Sequence, residues 1–284
     1  MSRPLPARLA SDRRSAFLFA HGDAAPVLTY AYVPPAVSER TRVAVVMHGK
    51  LRNAAEYLEP WIAWAADTDQ IVLAPCFDRA RWPGSRGYNL GNVFSGPDGG
   101  GERLPESRWS FTVVEALHER VRVEFGLEDD RFALWGHSAG GQFVHRFLLF
   151  RPQAKVRAAI ASGCGWFTTP DARVGFPYGL RHPLFSLSAA AVRAYVAKPL
   201  VLMRGTRDTD RDDDLRTTRG ADRQGPNRYA RAGHMQAVAQ AVDPSSPWRL
   251  VDVPGVAHDG TRMASAAQEW WHDLRLADGE RLTG

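Results

Sequence analysis

Apolar runs of strand length recur along the chain, and segments with helical spacing separate them. The stretches "RVAVVMHG" (42–49), "QIVLAPCF" (70–77), "RFALWGHS" (131–138), "VRAAIASG" (156–163), "PLVLMRG" (199–205) and "WRLVDVPG" (248–255) are nearly continuous in apolar residues. Such runs suit strands of a parallel sheet covered on both faces. "LTYAYVPP" alternates instead, as an exposed antiparallel strand at a sheet edge does. In "SFTVVEALHERVRVEFG", Val113, Val114, Leu117, Val121 and Phe125 form a helical stripe, and Gly126 is a natural stop. "AGGQFVHRFLLF" carries a second stripe, ended before Pro152, and "NRYARAGHMQAVAQAV" and "TRMASAAQEWWHDL" predict two further helices. The alternation predicts an α/β architecture, a doubly wound and mostly parallel sheet with helices on both faces.

Two long segments, 78–109 and about 165–198, show no clear period and are rich in Gly, Pro and aromatic residues. Each follows the C-terminal end of a predicted strand, where open α/β sheets bind ligands. They are read as pocket-forming insertions in a single domain spanning 1–284. Trp82, Tyr88, Trp166 and Phe167 are the candidate pocket aromatics among them. Arg79, Arg81 and Arg86 read as solvated, with a substrate carboxylate or phosphate as their alternative partner.

With 284 residues, 44% of them hydrophobic, the chain can bury a sizeable core. The formal charge is +5, and only three of the 36 basic residues are lysines. No basic block reads as a nucleic-acid tail, and no apolar stretch approaches a membrane span. Two cysteines make no disulfide scaffold. The N-terminal "AFLFA" is too short for the core of a signal peptide, so a soluble, cytoplasmic protein is expected.

The chemistry gathers at strand ends. Gly136-His137-Ser138-Ala139-Gly140 fits G-x-S-x-G between a buried strand and an amphipathic helix. That context suits a sharp turn holding a nucleophilic serine clear of the sheet. Downstream, Asp208 stands just beyond "PLVLMRG" and His258 just beyond "WRLVDVPG", giving the order Ser, Asp, His. His258 is the expected general base and Asp208 its orienting acid, with Asp210 the alternative. The strand ending in His48-Gly49 offers backbone N–H groups to an oxyanion, so Lys50 and Ala139 are the expected oxyanion donors. The acids 208, 210 and 212 have calcium-loop spacing, but the loop's sixth and twelfth positions hold Asp213 and Arg219, so no metal is expected. No cofactor is expected either. His137 reads as a packing or hydrogen-bonding residue, His118 and His145 as structural, His234 and His272 as surface or packing residues, and Cys164 as a buried thiol.

These motifs resemble the α/β-hydrolases over about residues 25–275, and "VVMHGKLRNAAEYLEPW" resembles polyhydroxybutyrate depolymerase-like and feruloyl-esterase-like members. The resemblance implies a sheet of about eight strands and a Ser-His-Asp hydrolase cleaving a small-molecule carboxylic ester or thioester. A peptide or carbon–carbon bond, or an inactive binding protein on the same fold, are the alternatives. Lys50 departs from the resemblance, because those members carry Cys or a small residue there.

Overall fold

The computed structural model describes residues 14–281, with side chains through residue 271. One eight-stranded sheet runs in the order β1-β2-β4-β3-β5-β6-β7-β8. Its strands are β1 (Arg14–Phe19), β2 (Val27–Tyr32), β3 (Arg42–Met47), β4 (Gln70–Cys76), β5 (Phe132–His137), β6 (Val156–Ser162), β7 (Leu200–Gly205) and β8 (Arg249–Val253). From β4 to β8 every neighbouring pair is parallel, while β1 and β2 add antiparallel at one side. All six expected apolar runs are strands. β2 is not the edge, however: "AFLF" lies in β1 and pairs outside it, Leu18 opposite Leu28. A six-residue strand burying only Phe17 and Phe19 leaves little periodic signal.

The helices used here are α1 (Ala54–Leu58), α2 (Ile62–Thr68), α3 (Gly84–Gly87), α4 (Ser110–Phe125), α5 (Ala139–Phe150), α6 (Ala189–Val196), α7 (Arg219–Asp222), α8 (Arg228–Val242) and α9 (Gly260–Arg281). Along β3, Val43, Val45 and Met47 join the core under α4, α5 and α8, while Ala44 and Val46 join the core under α1, α2 and α9. Burial on both faces is why the strand reads as one continuous apolar run. Gly126 closes α4 in the left-handed conformation (φ 67°), its N–H capping the Arg122 and Val123 carbonyls. α6 falls inside the segment 165–198 that showed no period; Ser188 caps it by accepting from the Ala191 N–H at 3.1 Å.

After β3 the chain moves outward to β4, then returns to place β5 on the other side of β3. The strand order therefore reverses between β3 and β5, and a crevice opens at their C-terminal ends. β3 runs out there into His48-Gly49, and β5 runs out into Ser138.

Candidate active site

Ser138 sits at the apex of a strand-to-helix turn with φ 58° and ψ −117°, a conformation costly for a residue with a side chain. Its surroundings enforce it. A Cβ on Gly136 would lie 2.3 Å from the Gly140 carbonyl carbon, and one on Gly140 would lie 2.1 Å from the Met47 oxygen. Only glycine lets β5, α5 and the end of β3 approach so closely. The Ser138 N–H donates to the Ser162 carbonyl at 2.9 Å, tying the turn to β6.

Across the crevice, His258 Nδ1 donates to Asp208 Oδ2 at 2.8 Å, which leaves Nε2 as the basic nitrogen. Asp208 is buried and Asp210 exposed, so Asp208 is the carboxylate that meets the histidine. Arg228, equally buried, lies 3.5 Å from the second Asp208 oxygen and binds Asp212 through two 2.8 Å bonds. Asp214 pairs with Lys50. Of the acids that adjoin in sequence, Asp208 alone meets His258, Asp212 shares Arg228 with it, and Asp214 turns to Lys50. Among the described residues no group of three or more His, Cys, Asp or Glu could hold a metal ion.

His137 lies tilted against His258, ring centroids 4.5 Å apart. The Ser162 hydroxyl gives its one proton to the Gly136 carbonyl, so His137 Nδ1–H must donate to Ser162 Oγ (3.2 Å). Burial, with the neighbouring His258 next in weight, holds His137 well below the usual histidine range. It places no second charge against His258.

At the end of β3, buried His48 accepts from the Phe77 N–H at 3.1 Å and donates Nδ1–H to the Gly49 carbonyl at 2.9 Å. The Arg52 N–H also reaches that carbonyl, at 3.3 Å. In a planar trans peptide, fixing the Gly49 oxygen sends the Lys50 N–H the opposite way. Among the described residues neither the Lys50 nor the Ala139 N–H donates to another main-chain carbonyl. Burial lowers the His48 pKa to about 3, so this anchor is a neutral ring.

Ser138, Ala139, Lys50, Tyr88 and Trp166 line one cavity of about 440 Å³. Trp82 and Phe167, expected beside them, are packed behind its wall. The Trp82 ring meets Phe77 edge-on at 5.0 Å, and the Phe167 backbone is clamped by the Gln224 amide at 2.8 and 2.7 Å. A second recess of about 270 Å³ lies at the opposite, N-terminal ends of the strands, between Arg42, Arg157 and Arg249. It holds none of the residues just described.

Comparison with protein-family models gives no match, and comparison with curated proteins gives none either. Solved structures do match. A poly(aspartic acid) hydrolase from Sphingomonas sp. KT-1 is 36% identical with TM-score 0.86, over 90% of this chain and 97% of that one. A poly(3-hydroxybutyrate) depolymerase from Bordetella parapertussis is 32% identical with TM-score 0.84, over 94% of this chain and 93% of that one. This chain belongs to the α/β-hydrolase serine esterases, in the polyhydroxybutyrate depolymerase-like branch. An S-formylglutathione hydrolase from Agrobacterium tumefaciens shares the fold at 16% identity and TM-score 0.57, over 93% of this chain and 95% of that one.

In this α/β-hydrolase the pocket wall hangs on an arginine that hydropathy reads as surface. Arg146 is fully buried and donates to the Asn89 and Gln142 carbonyls and to Thr168 Oγ1 at 3.0, 3.1 and 2.8 Å. It thereby joins α5 to both long insertions. Its guanidinium stacks on Trp166 at 4.0 Å, and Arg216 stacks on the same ring at 4.7 Å. Arg146 lies off the apolar stripe of Phe143, Val144, Phe147 and Leu148, and it is inward because α5 is buried on every face from Ala139 to Leu149. Arg228 occupies the first turn of α8 and carries no sequence cue to its burial. His118 and His145 are buried on their helices, Cys164 is buried beneath Gly141, and the His272 side chain lies outside the described residues. No helix among the described residues is long and apolar enough to cross a membrane.

Proposed function

We infer that the enzyme cleaves a carboxylic ester through an acyl-enzyme on Ser138, with His258 as general base and Asp208 as its orienting acid. The observation that carries this reading is the 2.8 Å His258–Asp208 contact, on strand-end loops beside a strained serine elbow. Ser138 Oγ attacks the acyl carbon while His258 Nε2 takes its proton. The carbonyl oxygen becomes an oxyanion between the N–H groups of Lys50 and Ala139, which the helix N-terminus also favours. The tetrahedral adduct collapses and the alcohol leaves with the proton from His258. Water, deprotonated by His258, attacks the acyl-enzyme, and a second collapse releases the acid and restores the Ser138 hydroxyl. Asp208 keeps the Nδ1–H tautomer and balances the transient imidazolium.

An amide bond is the second reading, because the Sphingomonas relative is named as a hydrolase of poly(aspartic acid). Rates on matched 4-nitrophenyl esters and aminoacyl 4-nitroanilides separate the two. Ester turnover that disappears in a folded Ser138→Ala protein supports the proposal. Full turnover in that variant contradicts it.

A further inference from the structure

Four cations line the Ser138 cavity, and two of them are not neutralised. Lys50 is paired with Asp214, and Arg216 is paired with Asp98 while stacked on Trp166. Arg52 is different. Its guanidinium donates to the Phe77, Trp82 and Gly84 carbonyls, at 2.5, 3.3 and 2.7 Å, and lies 4.4 Å over the Tyr88 ring. Arg79 donates to the Lys50 carbonyl at 3.1 Å and is otherwise exposed. Among the described residues neither arginine has a carboxylate partner. Asp78, whose field reaches Arg52, spends its oxygens on Arg81 and on the Ala80 and Arg81 N–H groups.

This arrangement is costly without a ligand. Burial pulls Arg52 below the usual arginine range, and the like charge of Arg79 pulls it the same way. The Arg52 backbone is itself left-handed, at φ 65°. Three carbonyls hold the group in place, yet carbonyl dipoles do not cancel its charge. Asp213 is the remaining acid on the wall, one carboxylate against two guanidiniums.

We propose that Arg52 and Arg79 receive an ionised carboxylate of the substrate, so that the enzyme acts on anionic esters in preference to neutral ones. The proposal rests on the ester-hydrolase reading for its chemistry, and on the cavity wall alone for its charge selection. Arg79 gives one N–H to a carbonyl and keeps a guanidinium edge open for bidentate pairing with a carboxylate, while Arg52, with three N–H groups on carbonyls, adds its charge and a single hydrogen bond. The cavity has room for a short carboxylate-bearing acyl chain.

The test compares 4-nitrophenyl hydrogen glutarate with 4-nitrophenyl pentanoate, which differ in the terminal carboxylate. The wild-type ratio of kcat/KM, anionic over neutral, is expected to be about tenfold or more. That ratio falls by about tenfold in Arg79→Met, an exposed position that spares the fold, and again in Arg52→Met. Free glutarate, titrated calorimetrically into wild type and Arg79→Met, gives a readout independent of turnover and is expected to bind the variant several-fold more weakly. A wild-type ratio at or below one, or one that both substitutions leave unchanged, overturns the proposal. Absence of all ester turnover with glutarate binding still dependent on Arg79 overturns the esterase reading and upholds the anion site.

Discussion

Arg228 lies 3.5 Å from Asp208 with both side chains almost wholly buried, so the carboxylate that accepts from His258 is gripped from behind by a fixed cation. The same guanidinium holds Asp212, which is 42% exposed. One arginine thus ties the His258 partner to the irregular segment that follows it.

Removing that cation should be costly and removing its outer partner should not. Arg228→Met is expected to lose about 3 kcal/mol, the usual scale for breaking a buried charge pair. Asp212→Asn is expected to lose less than about 1 kcal/mol, as for a solvated pair. Urea denaturation of both variants checks the order, and equal losses would contradict the grip just described.

Asp208→Asn should lower kcat by about 10³-fold or more by allowing the wrong histidine tautomer. Asp210→Asn, at an exposed site, should stay within about twofold of wild type. Steady-state kinetics on one 4-nitrophenyl ester distinguishes the two acids. A large loss only in the Asp210 variant would reassign the acid.

Gly140→Ala sets a methyl group 2.1 Å from the Met47 carbonyl oxygen, where no flexible side chain can yield. The expected cost is about 2 kcal/mol or more, with activity falling further than stability because β3 and the elbow move apart. Gly126→Ala makes a useful contrast, since its Cβ meets nothing within 4 Å and only the left-handed cap (φ 67°) resists it. Thermal melts and kinetics on both variants give the comparison.

Burial keeps His48 neutral down to about 3 and His118 neutral down to about 4. His137 and His145 are held well below the usual range for the same reason. In the unfolded chain these rings take protons near pH 6.5, so below that pH the unfolded state binds more protons than the folded one. Their stabilising contribution is complete above pH 6.5 and is lost as the pH falls toward 3. Each ring adds a slope of up to about 1.4 kcal/mol per pH unit. The urea midpoint should therefore drop between pH 7.5 and pH 5, before most carboxylates titrate. His118→Leu, whose ring nitrogen Nε2 has no partner to lose, should flatten that drop. Identical wild-type midpoints at the two pH values would contradict this assignment.

Much of the sheet was legible because its strands are buried on both faces: Val43 and Ala44 go to opposite cores, and both are apolar. The turn at Ser138 and the strand-end loops that bring Asp208 to His258 were legible because strand ends punctuate those runs. The pair α1 and α2 went unread because a short 3-10 turn, Glu59–Trp61, carries Pro60 between them and breaks the helical spacing. The pocket wall was harder for a different reason. Tyr88 and Trp82 stand six residues apart in one irregular segment, and only tertiary contacts decide that Tyr88 faces the cavity. The arginines are the clearest case. Arg146 is buried against the Asn89 carbonyl and the Trp166 ring, Arg228 against Asp208 and Asp212, and Arg231 against the Gly165 and Arg216 carbonyls, and hydropathy reads all three as surface.

Acylation of Ser138 is tested most directly by reaction of the native enzyme with an alkyl fluorophosphonate, followed by peptide mass spectrometry. One adduct per chain on the peptide containing Ser138, lost in Ser138→Ala and much slowed in His258→Ala, is the expected result. Labelling at another residue, or none in a folded enzyme that still turns over esters, would contradict it.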